Sequence, residues 1–116
     1  METFDNSVPL DIEGMAPSVF KNWVSGCHNE VASASAGGIS KPARTMLKFA
    51  LDLYTKNAAI VREVANLETS RGGENKLTDA KKTELLVMLR DDYEISRKMF
   101  NFAIINASVN INFKII

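Results

Sequence analysis

A cysteine followed directly by a histidine, Cys27-His28, is the pair in this chain that could act as a nucleophile with a base. On a helix, adjacent side chains point about 100° apart and do not share a proton. The pair therefore reads as a small buried cysteine beside a surface histidine. A second group, Asp91, Asp92 and Glu94 followed by Arg97 and Lys98, offers carboxylates for metal or acid–base work. Yet Glu94 stands three and four residues before Arg97 and Lys98, the spacing of ordinary ion pairs on a helix surface. One cysteine with one histidine excludes a four-ligand structural zinc site and an intramolecular disulfide. Gly37-Gly38 and Gly72-Gly73 lack the flanking residues of a phosphate-binding loop. No catalytic residue, cofactor site or metal site is expected, and the chemistry that remains is apolar contact. Phe20, Trp23 and Val24 make an apolar face that either docks on a partner or packs on the chain's own body.

The elements that carry these residues are helical. The chain has 116 residues, 46% of them apolar and 24% charged, ordinary values for one folded domain. Residues 1–15 include Pro9 and Gly14 and no sustained apolar period, and read as an extended or disordered arm. Pro17 opens a short helix over about 17–33, with Val19, Phe20, Trp23, Val24, Cys27 and Val31 on one stripe and Gly26 as its weak point. Small residues from Ser33 to Gly38 form a linker. Residues 1–40 thus make a flexible N-terminal arm with a short helix, and 41–116 make a helical hairpin.

Ser40 is the expected N-cap of a long helix, with Pro42 in its first turn. Over about Lys41–Thr69, Met46, Ala50, Leu53, Asn57, Ile60, Val64 and Leu67 step by four and three, a heptad seam with a polar break at Asn57. Leu47, Leu51, Tyr54, Ala58, Val61 and Ala65 form a second stripe beside it, so the helix should touch more than one neighbour. Arg62 and Glu63 fall on the narrow polar strip. After a loop with Gly72-Gly73, Thr78 or Asp79 caps a third helix on which Met88, Asp92, Ile95, Met99, Phe102 and Asn106 repeat the same steps, flanked by Leu85, Leu89, Tyr93, Phe100 and Ala103.

From Ser108 to Ile115 the pattern serves two readings. The helical steps continue through Val109, Phe113 and Ile116, while strict alternation puts Val109, Ile111, Phe113 and Ile115 on one side, as a strand would. Ordering of this tail is expected only through contact with another subunit or a partner. Asn101, Asn106, Ser108, Asn110 and Asn112 are too many polar groups for Met99–Ile116 to span a membrane. The fold expected is all-α: an elongated antiparallel hairpin with a short N-terminal helix and an extended arm. A helix of about 29 residues is roughly 43 Å long, against a radius of gyration of about 13 Å for a compact domain of this size.

Fourteen basic residues balance fourteen acidic ones, but unevenly. Residues 1–40 hold five acids and one base, net −4, and residues 41–116 hold thirteen bases and nine acids, net +4. An acidic arm can lie on a basic body, its own or a neighbour's. No basic cluster suits nucleic acid, and the acidic first twenty residues argue against a cleaved secretory signal.

The run Leu77-Thr78-Asp79-Ala80-Lys81, then Leu85, Leu86, Met88 and Leu89, then Asp92-Tyr93 and 23 residues to the end, resembles the C-terminal helix of the needle and inner-rod subunits of bacterial type III secretion systems. The likeness covers residues 40–116. It implies a structural subunit of a helical export conduit, reaching the bacterial cell envelope through the export apparatus and partnered by copies of itself and other apparatus proteins. Met46, Leu53, Ile60, Val64, Tyr93, Met99, Phe102, Val109 and Phe113 would pack between subunits, and Asn106, Asn110, Asn112 and Lys114 would face the channel. The alternative from the residues is a small cytoplasmic adaptor or secretion-chaperone module, whose helices close on themselves and fold the Trp23 helix back on the hairpin.

Overall fold

Three helices form, each from its own local signals. The computed structural model describes residues 11–69 and 77–107, and among these the chain is all-α with no strand. The loop at 70–76 lies outside them, as do Val109 and Phe113, expected to pack between subunits, and Asn110, Asn112 and Lys114, expected to face a channel, so both readings of the tail fall outside the described residues.

Helix α1 runs Pro17–Ser35, started by proline at its first position, where the missing N–H leaves no bond unmade. It stops at Ala36, and Gly38 then turns the chain with φ 97°, a left-handed conformation that suits glycine. Helix α2 runs Lys41–Ala65. The Ser40 hydroxyl accepts from the Ala43 N–H at 3.3 Å, so the expected cap forms. The helix ends four residues before the expected Thr69, because the Asn66 side chain donates to the Arg62 carbonyl at 2.8 Å and closes the last turn. Helix α3 runs Asp79–Ala107, with the Thr78 hydroxyl accepting from the Lys81 N–H at 3.2 Å and Asp79 in the positive first turn.

Helices α2 and α3 pack along their length as an antiparallel hairpin, and α1 lies against α2. The molecule measures 56 × 25 × 22 Å with a radius of gyration of 16.2 Å, the elongated body the helix lengths require.

The buried stripe is the second one. Leu47, Leu51, Tyr54, Ala58 and Val61 are buried, whereas Met46 and Leu67 of the heptad seam are exposed and Leu53, Ile60 and Val64 are half-buried. On α3, Tyr93, Phe100 and Ala103 of the flanking stripe are buried and Met88, Ile95, Met99 and Phe102 are exposed. The reason is the second neighbour: Trp23, Cys27 and Val31 of α1 share one core with these residues, so the stripe of α2 that both α1 and α3 can reach becomes the interior.

The arm departs from the extended reading where it is described. Residues 11–15 form a turn closed by the Gly14 N–H donating to Asp11 Oδ1 at 2.9 Å, and Ile12 is buried in the core. Arg62 leaves the polar strip to hold this turn, its Nη1 donating to the carbonyls of Ile12 and, at 2.8 Å, Met15. The same guanidinium lies 4.3 Å from the centre of the Phe20 ring. Glu13 accepts twice from Arg90, at 2.8 and 3.0 Å, which seats the acidic arm on the chain's own basic body.

Candidate interaction face

The polar residues that could have done chemistry are dispersed. Cys27 is fully buried, and burial, with the nearby Glu30 carboxylate, pushes its thiol up to about 12, so no thiolate forms at neutral pH. His28 points away to solvent, its Nε2 4.0 Å from Asp52 Oδ1. Asp91 and Asp92 are exposed, and Glu94 accepts from Arg97 Nη1 at 3.2 Å. The Glu94–Arg97 pair is the one the spacing predicts, but Arg97 itself is buried beside the tyrosines while Glu94 stays at the surface. Among the described residues no three His, Cys, Asp or Glu side chains gather as a metal site.

Trp23 turns inward. It is 4% exposed and meets Tyr54 edge-on at 5.6 Å, with Phe20 at 5.7 Å on its other side and Val24 half-buried against the core. The apolar face of α1 thus covers the hairpin. Tyr93 also lies inside, stacked on Tyr54 at 5.3 Å, rather than on the surface where subunits would meet.

What stands uncovered is the outer side of the heptad seam, whose Ala50 is buried in the core. Met46 and Phe49 of α2 are 62% and 59% exposed, and Met99 and Phe102 of α3 are 43% and 65% exposed. Although some fifty residues apart in sequence, the four line one apolar groove of about 190 Å³ at the open end of the hairpin, with Asn106 at its margin. The seam continues from there. Leu53, Ile60 and Val64 share the Met46 side of α2, and Ile95 and Met88 share the Met99 side of α3. Its polar break is common to both helices, because Asn57 Nδ2 donates to the Asp92 carbonyl at 3.4 Å and fixes the two residues at one level. Sequence spacing marked Met46, Met99 and Phe102 but passed over Phe49, whose signal was its position three residues after Met46 on the same face.

No protein-family model, no curated protein and no solved structure matches the chain. No helix among the described residues is long and apolar enough to cross a membrane.

Proposed function

We propose that the chain is a helical protein-interaction subunit, a self-folded module that works by seating another helical surface on the uncovered face of its hairpin. The observation that carries the reading is the convergence of Met46, Phe49, Met99 and Phe102, four large apolar side chains, all exposed around one groove. Apolar area of this kind on a small protein marks a contact surface, since each such side chain is stabilised by about 1.5–3 kcal/mol when fully covered. Support for a closed module of the adaptor or secretion-chaperone kind comes from Trp23, buried against Tyr54 within the single chain.

A second reading, the structural subunit of a type III secretion conduit, is favoured by the seam itself. Its four-and-three spacing runs along both long helices of an elongated body, as repeated helix packing between subunits requires. Trp23 fluorescence on dilution separates the two. A blue-shifted emission that persists from high to low micromolar concentration is the result expected of the closed module. Loss of that emission together with helix content on dilution is the result expected of a subunit stabilised by its neighbours.

A further inference from the structure

We infer that the face is occupied by a second copy of this chain, the two hairpins side by side with their two-fold axis parallel to the helices. This rests on the reading of the chain as an interaction subunit and names its partner. A rotation about such an axis keeps every level along the hairpin and exchanges α2 for α3. Each α2 then lies antiparallel on the partner's α3, the arrangement of a four-helix bundle.

Level-keeping is what the polar break demands. Asn57 and Asp92 interrupt the two seams at one height, tied by the Asn57 bond to the Asp92 carbonyl. An unrelated apolar helix would leave both polar groups against carbon. A copy related by this axis sets the Asn57 amide, a donor, opposite the carboxylate of Asp92 of the partner subunit, an acceptor, and does so twice. Met46 and Phe49 of each chain meet Met99 and Phe102 of the partner subunit at the open end, apolar on apolar.

The rim agrees in charge. One residue before each polar break stand Lys56 and Asp91, both exposed and both turned about 100° toward the outer edge of the face. In the proposed pairing Lys56 of one copy meets Asp91 of the partner subunit. With the two-fold axis perpendicular to the helices at this level, Lys56 would meet Lys56 and Asp92 would meet Asp92, a repulsive contact. The chain's zero formal net charge adds no bulk repulsion between copies.

Area is sufficient. Met46 to Val64 spans 18 residue steps of α2, about 27 Å along the helix, and two helices are about 20 Å wide. That gives roughly 550 Å² per copy, or about 1,100 Å² in all, above the ~1,000 Å² that a specific interface should clear.

Sedimentation of the full chain across a micromolar concentration series tests the pairing, with circular dichroism and Trp23 emission confirming the fold of each variant. The wild type is expected to dimerise, and Phe102→Asp to remain monomeric with its helices and Trp23 emission intact. Lys56→Glu and Asp91→Lys are each expected to weaken dimerisation by about threefold or more, and the double variant to regain it. Dimers indifferent to Phe102→Asp, or to both charge reversals, overturn the arrangement. A wild type monomeric at every concentration overturns the second copy as occupant. Binding of an apolar dye then tells which reading has failed. Dye taken up by the monomeric wild type and lost with Phe102→Asp leaves the face open for a different protein, so the interaction reading stands without the pairing. A monomer that binds no dye has the face covered by its own chain, and the interaction reading falls with it.

Discussion

Tyr54 and Tyr93, 39 residues apart in sequence, stack at 5.3 Å in the interior of the hairpin with their hydroxyls 3.3 Å apart. Phe100 stacks on the same Tyr54 ring at 5.6 Å and Trp23 meets it edge-on, so one side chain of α2 joins all three helices. Tyr93→Phe deletes one partner of a buried hydroxyl pair and is expected to cost about 1–2 kcal/mol in urea unfolding. Tyr54→Ala empties the junction and is expected to cost about 3–5 kcal/mol, with Trp23 emission shifting red. Equal effects from the two variants would show that the ring stack contributes nothing beyond the hydroxyl contact.

Alkaline pH should destabilise the fold. Burial holds the phenols of Tyr54 and Tyr93 above the ordinary tyrosine range, Tyr54 further by its neighbouring Tyr93, and the Cys27 thiol is pushed up to about 12. In the unfolded chain cysteine ionises near about 8.5 and tyrosine near about 10. Above those values the folded state keeps protons that the unfolded state has released. Stability is therefore fully present below about pH 8 and falls as pH rises, by up to about 1.4 kcal/mol per pH unit for each group. Thermal unfolding at pH 7.5 and 10.5 checks this, and an unchanged midpoint would contradict it.

Arg62 anchors the arm through the Ile12 and Met15 carbonyls and the Phe20 ring. Arg62→Ala is expected to cost about 2 kcal/mol, the scale of hydrogen bonds from a charged donor, and to expose residues 11–16 to limited proteolysis. Arg62→Lys should recover part of the loss, because an ammonium can still donate to both carbonyls but lacks the planar guanidinium that lies over the Phe20 ring. Protease resistance unchanged in Arg62→Ala would show that Ile12 burial holds the arm by itself.

Gly26 sits within α1, and a Cβ added there meets nothing within 4 Å. Gly26→Ala should raise stability by about 1 kcal/mol through helix propensity alone. A loss measured by chemical denaturation would mean that this helix face is occupied in solution.

Helix starts were legible because their signals are local: Ser40 before Pro42, and Thr78 before Asp79, act through bonds within four residues. The choice of interior stripe was not. Met46–Leu53–Ile60 and Leu47–Tyr54–Val61 are both apolar, and the decision falls to α1, whose placement depends on contacts far away in sequence. The partial burial of Arg62 and the burial of Arg97 escape helical spacing for a related reason. A long cationic side chain follows whatever packs above it, and neither the Ile12 turn over Arg62 nor the tyrosines beside Arg97 can be read from helical spacing. In the arm, Ile12 lies between Asp11 and Glu13 in a stretch broken by Pro9 and Gly14, too short for a helical period to announce its burial.

The face formed by Met46, Phe49, Met99 and Phe102 should serve association and contribute little to the fold. Paired measurement of unfolding free energy and sedimentation for Met99→Asp/Phe102→Asp tests this in one variant. Measured at a concentration below that at which the wild type pairs, so that pairing itself adds no stability, unfolding is expected within about 0.5 kcal/mol of the wild type, as for surface positions, together with loss of association at higher concentration. A double variant that is destabilised by several kcal/mol, or that associates as the wild type does, would contradict it.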